Sequence, residues 1–368
     1  MHIGFDGKRI YQNNTGLGNY SRTLLRNLVR FSHEHQYTIF AHQAYLKNTV
    51  FDNSFFKTRT SFAQGGNPNT WRTKGILKDL RQKQIQVYHG LSNELPVNIS
   101  ADIKSVVTIH DLIFMRYPKH FPFFDRMVFK AKVKKACQKA DKIIAISEST
   151  KEDLIELLKI PEEKISVCYQ TWGQEYEHVY TYEVIDKKRK EFHLPEDFLL
   201  FVGTGNPRKN IETVLKALCL PENQEFPLVV IGNHGIDAIR KLGVKWQLSH
   251  RLFFLEHILW YDIPCIYAMA KGLIYPSQYE GFGLPVLEAQ KMGISVITSD
   301  KGGLKEVAGE GCSIIDPVNM EQMANAINLM FQNDEDLIEK RNKNSEFIKK
   351  FEPLHQTKQI IELYSSLL

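Results

Sequence analysis

Short apolar runs, each followed by a helix-forming stretch, recur along the whole chain and constrain its fold more than any other feature. In the first half such runs lie at residues 3–5, 37–40, 87–89, 105–109, 142–146 and 165–168. Helical periodicity follows over 19–30, 125–140 and 149–158, the last opening with Ser149-Thr150-Lys151-Glu152, a capping-box pattern. The rhythm restarts at 198–202, 228–231, 252–255, 272–275, 296–297 and 313–315, with helices expected over 210–220 and 284–292 and after Pro317 and Asp334. A last helix over 352–368 carries Ile360, Ile361, Leu363 and Tyr364 as its apolar face. Strands alternating with helices predict an α/β protein whose mostly parallel sheets are covered on both faces.

At 368 residues the chain can hold two such units, each with its own core. The polar stretch 174–195, with Asp186-Lys187-Lys188-Arg189-Lys190, interrupts the alternation. The expected division is therefore an N-terminal domain over 1–180, a linker over 181–195 and a C-terminal domain over 196–351. No apolar run is long enough to span a membrane, and Met1-His2-Ile3-Gly4-Phe5 enters a strand without a basic and apolar leader. Five scattered cysteines without a C-x-x-C pair predict reduced thiols, a cytoplasmic setting and no zinc site. Residues 1–180 carry 26 Lys+Arg against 17 Asp+Glu, on a chain whose net charge is only +5. That basic half points to an anionic partner or to a solvated face.

The segment richest in chemistry runs Tyr275-Pro276-Ser277-Gln278-Tyr279-Glu280-Gly281-Phe282-Gly283-Leu284-Pro285-Val286-Leu287-Glu288. A strand that turns through glycines into a helix leaves backbone N–H groups at the positive end of the helix dipole, which suits a phosphate. The two glutamates flank that anion site. Carboxylates are poor phosphate ligands but good acceptors for hydroxyls, so phosphate between two hydroxyl-rich groups describes a nucleotide sugar. A second strand–loop–helix element, Gly203-Thr204-Gly205-Asn206-Pro207-Arg208-Lys209-Asn210, places two cations at a helix entrance, where the dipole disfavours them. Such a local conflict marks a functional site. Near the N-terminus, Gly16-Leu17-Gly18 precedes a helix, and Ser21 in the third glycine position excludes a dinucleotide fingerprint. His110-Asp111-Leu112 ends the run 105–109.

Glu280-Gly281-Phe282-Gly283-Leu284-Pro285 through Glu288-Ala289 resembles the E-x7-E segment of the retaining glycosyltransferases of family 4. The resemblance extends over nearly the whole chain, from Gly16 to the terminal helix. It implies the GT-B fold: two Rossmann-like domains whose parallel sheets face a central cleft, with the C-terminal helix crossing back to the N-terminal domain. It also implies that a hexose, mannose or glucose, passes from a GDP- or UDP-linked donor to an acceptor hydroxyl with retention of configuration, in polysaccharide, glycolipid or glycan assembly. His110, Arg208, Lys209 and Glu280 become the catalytic candidates: His110 beside the donor sugar, the basic pair on the pyrophosphate, Glu280 on sugar hydroxyls. Gly16, Leu17, Gly18, Gly203 and Asn210 would serve the nucleotide sugar, with Glu288 on its ribose. The backbone at Phe282, Gly283 and Leu284 would meet phosphate, and His257 and Ile258 the base.

His89 and Asn93 are candidate acceptor contacts by position. Residues 119–135 mix phenylalanines with lysines, as a segment lying on an anionic membrane would. They also fit a core face with a basic flank. Asp334-Glu335-Asp336 matches a metal-binding D-x-D only superficially, since acids are favoured at a helix start, and neither a metal nor another cofactor is expected. No motif that reads nucleic acid accompanies the basic residues. Two other functions remain compatible with the alternation: an inactive sugar-nucleotide-binding partner subunit, and a nicotinamide-dependent oxidoreductase.

Overall fold

The computed structural model describes residues 1–48, 54–203, 206–332 and 334–368, with the side chains of 47–48 and 334–336 outside that description. Thr204 and Gly205 of the second glycine loop, and the side chains of Asp334-Glu335-Asp336, thus lie outside the described residues. The chain forms two compact units, Met1–Thr171 with Phe351–Leu368, and Trp172–Lys350.

The first unit is built on β1 (His2–Asp6), β2 (Gln36–His42), β3 (Thr60–Ala63), β4 (Val87–Gly90), β5 (Lys104–Ile109), β6 (Lys142–Ala145) and β7 (Ile165–Val167), all parallel, in the order β3-β2-β1-β4-β5-β6-β7. Ile3 pairs with Tyr37 on one side and Val87 on the other. One face buries Ile3, Phe5 and Val87 under the helix Gly16–Phe31, which contributes Leu24 and Leu28, and the terminal helix Pro353–Ser365, which contributes Ile360 and Tyr364. The opposite face packs Val107 and Ile109 against Ala136, Cys137 and Leu154.

The second unit uses β8 (Leu199–Val202), β9 (Leu228–Ile231), β10 (Leu252–Leu255), β11 (Gly272–Tyr275), β12 (Ser295–Thr298) and β13 (Ser313–Ile314), again parallel, in the order β10-β9-β8-β11-β12-β13. Strands such as Leu228-Val229-Val230-Ile231 are apolar at every position because helices cover both faces of the sheet. Leu199, Phe201, Val230, Ile274 and Ile297 pack on Val214, Leu218, Met323 and Ile327. Each sheet grows outward in both directions from its first strand. The order therefore reverses between β1 and β4 and again between β8 and β11, the positions where open α/β sheets bind ligands.

The expected boundaries need four corrections. The units divide after Thr171, and the segment 181–195 is no linker. It contains the helix Tyr182–Glu191, packed on the helix Ile263–Met269 and tied by Lys188 to Asp262 at 2.9 Å. Its Lys-rich sequence hid a helix whose contact is partly ionic. The helix expected at Asn19 begins at Gly16, so the glycines form its first turn. The expected capping box is displaced: Ser147, not Ser149, is the N-cap and accepts from the Thr150 amide at 3.0 Å. Strand β3 went unpredicted because Thr60-Ser61-Phe62-Ala63 is a half-buried edge without a continuous apolar run.

Among the described residues no helix is long and apolar enough to cross a membrane. The terminal helix is integral to the first unit, because Ile360 is fully buried in its core. Replacing Ile360 with Ala should destabilise that unit by about 3 kcal/mol through lost transfer energy and a cavity. Hydrogen exchange should then quicken in the amides of β1, β4 and the helix Gly16–Phe31, while β8–β12 keep their protection.

Candidate active site

At the switch of the second sheet, the loop after β8 carries Arg208 and Lys209, and the loop after β11 carries Glu280. The loops are joined backbone to backbone, the Gln278 amide donating to Arg208 O at 2.9 Å. A single carboxylate oxygen collects the side chains. Glu280 Oε1 accepts from Lys209 Nζ at 2.6 Å, Arg208 Nη1 at 2.7 Å, Ser277 Oγ at 2.6 Å and Tyr275 Oη at 3.1 Å. Arg208 also donates to Tyr279 O, and Lys209 to Tyr275 Oη, its ammonium standing 4.5 Å from that ring's centroid. Glu280 Oε2 accepts from none of the described residues, so one edge of the carboxylate stays open for a ligand hydroxyl. Burial alone would raise the Glu280 pKa. The Lys209 and Arg208 charges, with hydrogen bonds from Lys209 and Ser277, reverse that and bring it to about 2. Glu280 is thus an ionised acceptor at neutral pH, unsuited to donating a proton.

The turn after Glu280 is held by a parallel bridge to Gly302 and by the Gly303 amide on Glu280 O at 2.8 Å. Gly283 then caps the helix Leu284–Lys291 at φ 119°, a conformation that excludes a side chain, and no side chain caps the helix in its place. The first-turn amides thus lack the usual side-chain acceptor, as an anion site requires.

Glu288 sits on that helix in a different field. Tyr267 Oη donates to its Oε2 at 3.0 Å, and Tyr176 packs edge-on to Tyr267 with ring centroids 5.9 Å apart. Burial pushes the carboxyl up, the hydrogen bonds from Tyr267 and Tyr176 pull it partly back, and the neighbouring Glu175 charge raises it again, to about 7. The tyrosines escaped the sequence reading. Tyr267 lies in no motif, and Tyr176 belongs to the stretch read as part of the break between domains.

The remaining candidates divide unevenly. His257, in the left-handed region at φ 57°, and Ile258 follow β10, where the His257 amide donates to Asn233 Oδ1 at 2.7 Å. Gly203 continues β8 through its amide to Ile231 O at 2.9 Å. Asn210 is buried, with its side chain on Pro317 O, on Pro276 O at 3.4 Å and on Thr213 Oγ1 at 2.7 Å, so it anchors the loop instead of facing a ligand.

In the first unit, Gly18 donates its amide to Asn13 Oδ1 at 2.9 Å, and a Cβ there would lie 1.8 Å from Asn13 O. A tight turn accounts for that glycine, while Gly16 and Leu17 occupy the preceding first-turn positions. His110 is buried. Its Nε2 donates to Leu91 O at 2.9 Å, which fixes the tautomer and leaves Nδ1 to accept from Gln170 Nε2 at 3.3 Å. Tyr20 stands edge-on to the ring at 4.8 Å. Burial lowers its pKa to about 4, with Leu91 O opposing and Arg9 assisting, so the ring is neutral at pH 7. The structure corrects one of the two acceptor assignments. His89 is fully buried between Tyr364 Oη at 2.6 Å and Thr108 Oγ1 at 2.8 Å, out of any acceptor's reach. Asn93, at φ 59°, uses its side chain to accept from the His110 amide at 3.1 Å.

Comparisons with known proteins decide the family. The profile described as "Glycosyl transferases group 1" matches residues 184–351, and that of "Glycosyltransferase Family 4" matches residues 14–170. The chain belongs to the group 1, family 4 glycosyltransferases. It is 29% identical over 265 residues to the O-antigen chain mannosyltransferase B of Escherichia coli, a match covering 69% of this chain and 68% of that one. It is 30% identical to the serotype-specific mannosyltransferase WbdA of Escherichia coli, over 65% of this chain but only 31% of the longer relative. Anabaena Alr3699/HepE, solved in complex with UDP-glucose, superposes with a TM-score of 0.76 at 16% identity over the full length of both chains. WaaG, a glycosyltransferase of lipopolysaccharide biosynthesis, gives 0.74 at 14% identity over 99% of each. These likenesses establish the GT-B fold.

The two glutamates should respond oppositely to pH. Glu288, with a folded pKa of about 7 against an ordinary 4.5, holds a proton in the folded protein that the unfolded chain has released between those values. Its contribution to stability is therefore present below the unfolded pKa and lost as pH rises through about 7. Glu280 contributes above the unfolded value and loses that contribution only as pH falls towards about 2. Replacing Glu288 with Gln should flatten the decline in melting temperature between pH 4.5 and 7 that the wild type shows; an unchanged profile would remove Glu288 as its source.

Proposed function

We propose that this glycosyltransferase moves a hexose, with mannose favoured over glucose, from a nucleoside diphosphate donor to an acceptor hydroxyl in polysaccharide assembly, retaining the anomeric configuration without a metal ion. The observation that carries the donor site is the convergence of Arg208 and Lys209 on one oxygen of Glu280 at the β8/β11 switch, with the other oxygen open. Its cations suit a diphosphate, its free carboxylate edge suits a sugar hydroxyl, and the helix behind Gly283 suits the phosphate oxygens. Mannose is supported by the Escherichia coli relatives, both mannosyltransferases. The UDP-glucose bound by Alr3699/HepE supports the donor class while leaving UDP as well as GDP in play.

The reaction breaks the bond from the anomeric carbon to the donor phosphate and forms one to the acceptor oxygen on the same face. The departing phosphate oxygen takes the acceptor proton. Arg208 and Lys209 stabilise the charge that accumulates as that phosphate leaves, the largest catalytic term in this scheme. Glu280 orients the sugar through its open oxygen while holding both cations in place. Glu288 takes the ribose hydroxyls, His257 and Ile258 lie towards the base, and His110 with Gly16, Leu17 and Gly18 keep the donor roles that the family pattern assigns them.

An anionic membrane surface on the cytoplasmic side fits the helix Phe123–Lys139. Phe123, Phe124, Met127, Val128 and Phe129 are exposed there, Phe124 by 79%, among exposed lysines at 130, 132, 134 and 135. The protein should co-sediment with phosphatidylglycerol vesicles at low salt and lose binding when Phe123 and Phe124 are changed to Ser; sedimentation independent of both would remove that surface.

Donor identity is read by melting temperature with UDP-, GDP- and ADP-sugars, since a ligand at a hundred times its Kd adds about 2.7 kcal/mol. The wild type should be stabilised by GDP-mannose above the other donors, and its product should keep the donor's anomeric configuration by NMR. Replacing Arg208 with Ala should lower kcat by about two to three orders of magnitude, the effect of losing one transition-state charge donor. Turnover within a few-fold of wild type would take Arg208 out of the chemistry.

A further inference from the structure

The switch of the first sheet, between the carboxyl ends of β1 and β4, carries its own charged cluster. Asp6, the last residue of β1, is buried against Arg72, whose Nε donates to Asp6 Oδ2 at 2.8 Å and whose Nη1 reaches Glu94. Lys132 Nζ lies 3.3 Å from Glu94 Oε1. Two carboxylates are thus already engaged by two cations. Two more cations, Lys8 and Arg9, follow directly on β1. Arg9 Nε donates to Ser92 Oγ at 3.1 Å, and its two Nη groups have no acceptor among the described residues. The Lys8 ammonium has none either, its backbone amide alone touching Asp6 Oδ1 at 3.0 Å.

Both side chains are partly buried, and neither terminus is sealed from solvent. Burial first, then repulsion from Arg72 and Arg9, lowers the Lys8 pKa, with Asp6 opposing and Lys132 adding weakly. Burial and Arg72 lower that of Arg9, with Asp6 opposing. Partly desolvated cations that repel one another, with only the shared and already engaged Asp6 carboxylate opposing and no ion pair of their own among the described residues, are stabilised by an anion that completes the cluster. The loop that holds Arg9 is also the one that holds His110: Leu91 O accepts from the His110 ring at 2.9 Å, Ser92 Oγ from Arg9 and Asn93 Oδ1 from the His110 amide at 3.1 Å.

We infer that Lys8 and Arg9, at the β1/β4 switch beside the His110 loop, form an oxyanion subsite that binds a phosphate group of a substrate. Phosphate fits the two unmatched charges, and the paired Nη groups of Arg9 suit two phosphate oxygens. The phosphate comes either from an acceptor carrying a phosphate or diphosphate, or from the donor's own diphosphate. The acceptor is the favoured source, because the donor's diphosphate already has Arg208 and Lys209. This assignment of sources rests on the glycosyltransferase reading; the subsite itself does not.

The test is calorimetric titration of the full chain with inorganic pyrophosphate, in the absence and presence of saturating nucleoside diphosphate, for the wild type, R9Q, R9K and K8Q. With nucleotide saturating, pyrophosphate should still bind the wild type, R9Q and K8Q should weaken it by about tenfold or more, and R9K, which keeps the charge but loses the two-donor grip, should fall between the wild type and R9Q. If the weakened ligand is instead the nucleoside diphosphate, the subsite stands and the donor supplies its phosphate. Affinities for both ligands within about twofold of wild type in R9Q and K8Q overturn the inference. K8Q decides alone should R9Q fail to fold, since the Lys8 ammonium makes no hydrogen bond or ion pair with a described residue. Arg9-dependent pyrophosphate binding by a wild type that ignores every nucleoside diphosphate sinks the donor reading and leaves the subsite standing.

Discussion

A parallel sheet that grows outward in both directions from its first strand sends consecutive connections to opposite faces, and that reversal positions the charged clusters of both candidate sites. At β8 and β11 the loops leaving neighbouring strands diverge, so the carboxyl ends of those strands are not roofed by a shared crossover. The residues just beyond them, Arg208-Lys209 and Ser277 to Glu280, are free to turn towards one another. The backbone bond from Gln278 to Arg208 O fixes their approach before any side chain contributes. An ion cluster as buried as this one would be unfavourable if its geometry had to be found afresh on each opening. Here the sheet sets it.

The two glutamates of one motif show how far environment outweighs residue type. Both are acceptors by chemistry, yet one is held ionised down to about pH 2 and the other keeps a proton up to about pH 7. The difference lies in their neighbours: two cations and two hydroxyls on Glu280, two tyrosines and a second carboxyl near Glu288. Glu280 is therefore ready to accept from a hydroxyl, whereas Glu288 must release a proton before it can accept from two. On the proposed reading, a diol binding at Glu288 would exchange a proton with solvent near neutrality, so that affinity there would be linked to pH in a way that the spacing of the motif could never reveal.

The parts of this architecture that were legible in sequence are those with local causes. Apolar runs such as Leu228–Ile231, buried on both faces, and the edge strand Leu252–Leu255 marked their strands to the residue, and Gly281 and Gly283 marked the turn. The helix Tyr182–Glu191 was invisible because its lysines read as a solvated break, whereas Lys188 meets an aspartate more than seventy residues away. His89 and His110 looked alike, each at the end of a strand. Both are buried and what separates them is their partners: His89 is sealed between the Thr108 hydroxyl and Tyr364 of the terminal helix, whereas His110 is held by Leu91 O and Gln170. Asn210 likewise kept its place in the motif but turned its amide inward. Sequence pattern locates a residue on an element, whereas the direction of its side chain depends on partners supplied from elsewhere in the chain.

The basic excess of residues 1–180 takes on a different meaning once the charges are placed. Part of it lies on the exposed helix Phe123–Lys139, where lysines among phenylalanines make a surface property. Another part lies at the β1/β4 switch, where Lys8 and Arg9 stand partly desolvated beside a pairing of Asp6, Arg72 and Glu94 that is already complete. A solvated face would relax such repulsion by moving long side chains into water. Arg9 cannot relax in that way while Ser92 holds its Nε, and Asp6 and Arg72 are buried and cannot turn to meet it. The sheet thus keeps positive potential at the mouth of its own switch, as the second sheet does with Arg208 and Lys209. In the second sheet Glu280 gathers both cations, whereas in the first Asp6 engages Arg72 and leaves Lys8 and Arg9 beside the position where the topology leaves the strand ends uncovered.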